Sequence, residues 1–283
     1  MTQPALTIAS LLSDPRLVKA VTNWLKGERY RLEDLGSSPD PVGELLRRRD
    51  AFDVVLLQQG VTQPEAIESM RSQGVLLPAV VVGEVSGRVD YHDAEVHLPQ
   101  DQLEQIVYSL DAAVSRFLRM GLSVGRDGTE GSSGGATPLS WRLPNRLQGR
   151  LGYLGVFYKR DPSLFLRNLP EGDRLELLRS LERGYRDLLI SYFRDPAAAN
   201  QAIESFVHSA FFCDLPVNKV VEIHVDLMDA FWKQLRLEGH KNDFLQDYRL
   251  ALLDVLAHLC EMYRRSIPPD TPLELPPPEG VAS

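Results

Sequence analysis

An α/β domain built on a five-stranded parallel sheet, joined to an all-α helical bundle, is the architecture this sequence predicts, and three observations predict it. Between Leu6 and Arg119, short apolar runs alternate with helix-length amphipathic stretches, the pattern of βαβ units around a parallel sheet. The run Gly125-Arg126-Asp127-Gly128-Thr129-Glu130-Gly131-Ser132-Ser133-Gly134-Gly135 offers almost nothing apolar to bury and reads as a flexible linker. From Trp141 onward, Gly and β-branched residues give way to Leu, Arg, Glu, Tyr and Phe at helical spacing. The expected organisation is a sheet domain over 1–120, a linker over 121–140, a helical domain over 141–268 and a Pro-rich tail over 269–283. The 283 residues suit two domains of roughly 100–200 residues each.

In chain order, the strand candidates are Leu6–Leu12, Tyr30–Leu32, Val54–Leu57, Ala79–Val82 and Val96–Leu98. Asp14 before Pro15 is an N-cap followed by a proline at the first helical position, and Asp40-Pro41 repeats the device. Five strands with this spacing suggest a flavodoxin-like sheet. In the second half, helices are expected over Asn145–Lys159, Asp173–Phe193, Pro196–Phe212, Val217–Leu237 and Asn242–Ser266. Asp195-Pro196 and Asn242-Asp243 mark two starts, and Gly239 follows one end. The last helix carries Phe244, Tyr248, Leu252, Val255, Leu256, Leu259 and Tyr263 over more than one stripe, which predicts two packed faces: the centre of a bundle, a subunit interface, or both.

Composition excludes some functions. The net charge is −8, with 12 basic against 17 acidic residues over 1–120 and 19 against 22 over the rest. Neither half has the basic footprint that releases counterions from a phosphate backbone, so a nucleic-acid partner is not expected. Cys213 and Cys260 both lie in apolar helical sequence, which reads as reduced, buried thiols. The start, Met1-Thr2-Gln3-Pro4-Ala5-Leu6-Thr7-Ile8, has no basic leader, and no segment approaches the roughly 20 apolar residues of a transmembrane span. A cytoplasmic protein is the expectation.

In a sheet of this kind, ligands sit beyond the carboxyl ends of the strands. The third strand, Asp53-Val54-Val55-Leu56-Leu57-Gln58, resembles that of the receiver domains of two-component signalling, where an aspartate accepts phosphate; Gln58 stands at that degenerate phosphoacceptor position. Leu12-Ser13 replaces the receivers' acidic pair for magnesium, Val82-Gly83 the switch hydroxyl, and Leu98-Pro99 the usual Lys-Pro. A carboxamide is no nucleophile toward phosphate, and without the carboxylates Mg²⁺ lacks hard oxygen ligands. The domain therefore reads as a pseudo-receiver.

The helical half offers no catalytic constellation. His224 stands two residues from both Glu222 and Asp226, a spacing that does not converge on a helix. His258 and Glu261 share a face but make only two ligands of the usual three or four, so no metal site is expected. No HExxH, CxxC, GxSxG or P-loop occurs, and the chain is not expected to be an enzyme.

Four segments carry a positive resemblance: Leu151-Gly152-Tyr153-Leu154-Gly155-Val156-Phe157-Tyr158-Lys159-Arg160-Asp161-Pro162, Phe165-Leu166-Arg167-Asn168-Leu169-Pro170, Val220-Val221-Glu222-Ile223-His224, and Ala257-His258-Leu259-Cys260-Glu261-Met262-Tyr263-Arg264-Arg265-Ser266-Ile267-Pro268. They closely resemble the KaiA family of cyanobacterial circadian clock proteins, and Leu77-Pro78-Ala79-Val80-Val81-Val82-Gly83 extends the likeness into the first half. The resemblance implies a homodimer, formed through the helical domain, that binds the C-terminal tail of the kinase KaiC and promotes its autophosphorylation. It further implies sequestration by KaiB assembled on KaiC. No cofactor is required, and an oxidised quinone is the implied signalling ligand of the pseudo-receiver. The residues it assigns to tail binding and the supporting surface are Phe211, Arg236, His258, Cys260 and Glu261. The competing reading is a two-component response regulator-like protein with a helical output domain.

Overall fold

A computed structural model describes residues 6–27, 29–62, 64–73, 75–124, 160–237 and 247–267. Five strands, β1 (Leu6–Ser10), β2 (Tyr30–Asp34), β3 (Val54–Gln58), β4 (Ala79–Val82) and β5 (Val96–Leu98), pair in parallel in the order β2-β1-β3-β4-β5. That is the flavodoxin-like order the spacing predicts. β1, β3, β4 and β5 are buried along nearly their whole length, which is why they read as continuous apolar runs rather than alternating ones.

The helices α1 (Pro15–Trp24), α2 (Pro41–Arg47), α3 (Pro64–Ser72) and α4 (Ile106–Val124) accompany the sheet. Both predicted Asp-Pro caps form: the Asp14 carboxylate accepts the Arg16 N–H at 2.8 Å, and Asp40 accepts that of Gly43 at 2.9 Å. β1 is two residues shorter than predicted because the Ser10 carbonyl already turns the ladder, accepting from Leu35 N and Gly36 N, while Leu11 and Leu12 remain buried beyond it. α4 runs on to Val124, four residues into the stretch read as linker; the remainder of that stretch, the helix expected over Asn145–Lys159, Gly239 and the Pro-rich tail lie outside the described residues.

The second half contributes α5 (Glu171–Ser191), α6 (Pro196–Phe212), α7 (Val217–Leu237) and α8 (Arg249–Ser266). α6 and α7 have the predicted bounds. α5 starts two residues early, straight after Pro170, with no side-chain cap. α6 is deeply buried: Ala198, Ala202, Ile203, Phe206, Val207, Ala210, Phe211 and Phe212 are all in the core, while Ala197 and Asn200 face out. It packs against α5, α8 and α4. α8 is narrower than its sequence suggests. It buries Ala251, Val255, Leu259 and Met262, but Leu250 and Leu253 face out.

The two halves meet through polar contacts as well as apolar ones. Gln105 Nε2 donates to Ser180 Oγ at 2.9 Å, Ser205 Oγ to the His97 carbonyl at 3.2 Å, and Tyr108 OH to the Leu164 carbonyl at 2.9 Å. Gly87 (φ +72°) brings the β4–β5 loop onto the start of α6, where a Cβ would lie 2.6 Å from backbone atoms of Ala197 and Ala198. No larger residue fits there.

Arg29 ties the seam by donating Nη2 to Asp111 at 2.7 Å and Nη1 to Asp161 at 2.9 Å. Asp111 is buried, and that burial pushes its carboxyl up to about 6 against the pull of Arg29. The folded protein thus holds this proton more tightly than the unfolded chain, where aspartate titrates near ~3.9. Stability from this group is fully present below about pH 4 and lost as pH rises through about 6. Relative to Asp111→Asn, the natural chain is expected to lose about 1 kcal/mol between pH 5 and pH 7.5 in urea titrations. A difference that does not move with pH contradicts the assignment.

Candidate functional site

The switch point of the sheet lies between β1 and β3, where a receiver would carry its phosphate chemistry. Here the Gln58 carboxamide closes it: Oε1 accepts from Ser13 N at 2.9 Å, Ser13 Oγ at 3.2 Å and Asp14 N at 3.3 Å. Next to it, Gln59 Oε1 accepts from Glu84 N at 2.6 Å, and its Nε2 donates to Ser86 Oγ at 3.3 Å. Leu12 and Leu98 are buried. Two amides pin the loops that carboxylates and a metal would otherwise organise. Beyond the ends of β4 and β5, against α5 and α6, lies a cleft of about 560 Å³ walled by Glu84, Asp101, Gln102, Asp187 and Phe206.

Among the residues assigned by resemblance, Phe211 is fully buried. Its ring meets Tyr263 of α8 edge-on at 5.1 Å, and the Arg160 guanidinium lies 4.8 Å from it, within reach of Phe165 and Tyr263 as well. Arg160 also donates to the Phe211 carbonyl at 3.2 Å and to Asp214 at 2.7 Å. Phe211 therefore holds α6 to α8 from below rather than offering a contact surface. Arg236 is exposed near the end of α7, its guanidinium over the Trp232 ring at 5.1 Å.

His258 and Cys260 are exposed on α8. His258 Nδ1 donates to the Asp254 carbonyl one turn back at 2.8 Å. Glu261 takes Arg264 at 2.6 and 2.7 Å and Arg265 at 2.6 Å, and these bonds hold its carboxyl down to about 2. The structure brings His258 and Glu261 together on one cavity of about 420 Å³ whose lining does not include Cys260, Arg236 or Phe211. The reading of both thiols as buried holds for Cys213, which burial pushes up to about 12, and fails for Cys260. Cys260 sits on the outward face of a helix that is half solvated.

Sequence reasoning missed two features. His224 is buried and pairs its Nδ1 with Tyr185 OH at 3.1 Å, joining α7 to α5. Asp90, Glu95 and His97 place one ligand atom each within 4.8 Å of one another. The i, i+2 spacing of Glu95 and His97 beside a strand is the signal that could have found the latter, since it puts both on one face. Their hydrogen bonding serves the loop: Glu95 accepts from the backbone N–H of Asp90, Tyr91 and His92 and from His97 Nε2 at 2.8 Å.

A receiver-type sheet with amides where phosphotransfer needs carboxylates, docked on a helical bundle, defines a pseudo-receiver protein with a helical second domain. The sequence signature of the circadian clock protein KaiA N-terminal domain matches residues 6–121, and that of the KaiA C-terminal domain matches residues 149–270. The circadian clock oscillator protein KaiA of Parasynechococcus marenigrum is 56% identical over 290 residues, covering 100% of this chain and 94% of that protein. The one of Synechococcus elongatus is 44% identical over 261 residues, covering 87% and 92%. The crystal structure of the C-terminal domain of Thermosynechococcus elongatus BP-1 KaiA is 51% identical, with 38% of this chain and 100% of that chain covered at a TM-score of 0.33. The chain belongs to the KaiA family.

The placement of these residues separates core from surface. Phe211→Ala is expected to cost about 3–5 kcal/mol by emptying a buried aromatic site, while His258→Ala stays within about 0.5 kcal/mol. Chemical denaturation measures both, and equal effects would contradict the assignment of Phe211 to the core.

Proposed function

We propose that this chain is a non-catalytic, cytoplasmic clock regulator that binds the C-terminal tail of the KaiC kinase as a homodimer and stimulates its autophosphorylation. KaiB assembled on KaiC withdraws it in the opposite phase, and the pseudo-receiver carries input from oxidised quinone. The proposed domain organisation is the sheet domain, a linker of shifted start, and the helical domain as dimerisation and KaiC-binding unit. The curated relatives are named as circadian clock oscillator proteins; the partners and the mechanism belong to this proposal.

The observation that carries it is an apolar stripe left uncovered on α8. Leu250, Leu253, Ala257 and Cys260 are all exposed, at i, i+3, i+7 and i+10. That is the a/d spacing of a helix seam made for another helix. Val217, Val221 and Val225 of α7, exposed at i, i+4 and i+8, add a second stripe. His258 and Glu261 flank the α8 stripe, and Arg236 and Trp232 stand exposed toward the end of α7.

Such a surface acts by population shift. A dimer that captures an otherwise tucked kinase tail stabilises the exposed conformation by its differential affinity, typically ~1–3 kcal/mol of coupling. No group of this chain need touch ATP. Incubation of KaiC and ATP with and without the protein tests the reading: KaiC phosphorylation is expected to rise with the chain present, and to rise less with Arg236→Ala or His258→Ala. Leu253→Glu is expected to shift the protein toward a monomer in sedimentation. Unchanged KaiC phosphorylation in the presence of the folded dimer would overturn the proposal.

A further inference from the structure

The cavity shared by His258 and Glu261 lies where α4 of the sheet domain meets α6 and α8, and three arginines and two histidines stand in its walls. Arg116 and Arg119 come from α4, His208 from α6, His258 and Arg265 from α8; two carboxylates, Glu204 and Glu261, face them. Both carboxylates are already engaged. Glu204 is ion-paired with Arg116 Nη1, whose Nη2 also donates to the Asp93 carbonyl at 2.9 Å. Glu261 is shared between Arg264 and Arg265, two guanidiniums on one acid. By formal charge the lining holds three arginines against two carboxylates, and Arg264 adds a second guanidinium on Glu261.

His208 is the buried member of this set. It is 7% exposed, and its Nδ1 has no hydrogen-bond partner. Burial, then Arg116 and Arg119, push its imidazole down to about 3 against the raising pull of the Glu204 backbone, with His258 a smaller lowering influence. A positive potential therefore reaches this ring from both neighbouring helices, while a polar nitrogen stands unsatisfied. A close ion-paired seam alone would leave neither the excess charge nor the orphaned nitrogen, which is costly to bury.

We propose that this cavity is an oxyanion site that takes a phosphate-class anion, free or as the end group of a small metabolite, between the sheet domain and the helical domain. Arginine forks match phosphate oxygens in charge and geometry. The volume of about 420 Å³ exceeds the needs of a bare ion and lies in the range of small-molecule sites. Val207 and Met262 supply apolar wall for an organic body. Because the arginines come from both halves, an occupied site favours the docked arrangement.

The site is tested on the full chain without KaiC, so that it and the proposed kinase-tail binding fail separately. Titration calorimetry at constant ionic strength, with chloride as the background salt, uses inorganic phosphate, adenosine 5′-monophosphate and adenosine. Phosphate and the nucleotide are expected to bind and adenosine not. Tighter binding of the nucleotide marks a metabolite end group, and equal binding marks the free ion. Arg119→Gln is expected to weaken binding about tenfold or more, as loss of a charge-assisted contact does. In the natural chain, the His208 ring ¹⁵N resonances shift on adding phosphate. His208→Asn is the second variant; should it fail to fold, the half-exposed Arg119 still decides. The absence of anion binding, or binding unchanged in the Arg119→Gln, Arg265→Gln double variant, overturns the proposal.

Discussion

The structure depends on a single helix, α6, which is buried against both halves of the chain and keeps a short solvent face at Ala197, Asn200 and Glu204. From Phe206 to Phe212 every residue of α6 is buried, and a helix stretch of that kind is stable only when its sides are covered. α5 and α8 cover it from the helical half and α4 from the sheet domain. Small residues, Ala198 and Ala202, sit at its amino-terminal part, where the β4–β5 loop approaches so closely that Gly87 admits no side chain. Large ones, Phe206, Phe211 and Phe212, fill the core toward its other end. The chain is thus two sequence domains around partly one core. Polar pairs such as Gln105 with Ser180 and Arg29 with Asp161 orient the join that the apolar surface drives.

This arrangement gives the loss of receiver chemistry a structural sense. Where phosphate and magnesium would organise the strand ends, Gln58 and Gln59 make permanent hydrogen bonds to the neighbouring loops. Amides hold the loops at the strand ends, and the sheet domain packs against α5 and α6. Under the proposed function, activity lives in surfaces rather than in a reacting centre. The uncovered stripe on α8 and the cavity beside it are two places, among the described residues, where the fold leaves its physics unfinished.

Much of this was legible in the sequence, and the rest was not for physical reasons. The Asp-Pro devices located α1, α2 and α6 because a cap and a fixed φ are local signals. Ala79–Val82 and Val96–Leu98 stood out as buried parallel strands. The breadth of apolar residues in α8 pointed to a central helix, but periodicity counts apolar positions without saying what covers them; α6 holds the centre and α8 keeps an open face. The pairing of His258 with Glu261 was readable from their spacing on one helix. That Arg116, Arg119 and His208 join them was not, since only the tertiary fold brings α4 and α6 to that cavity. Phe211 was legible as important but not as core: its cover comes from Arg160 and Tyr263, at opposite ends of the helical half.

The central claim, that α6 fuses the two halves in solution, is tested most directly by a double-mutant cycle on Arg116 of α4 and Glu204 of α6, which form an ion pair across the join. The stability of the natural chain, Arg116→Ala, Glu204→Ala and the double variant would be measured by chemical denaturation. The account predicts an interaction energy of about 0.5 kcal/mol or more between the two sites. Strict additivity would contradict an energetic coupling of the two halves through this pair.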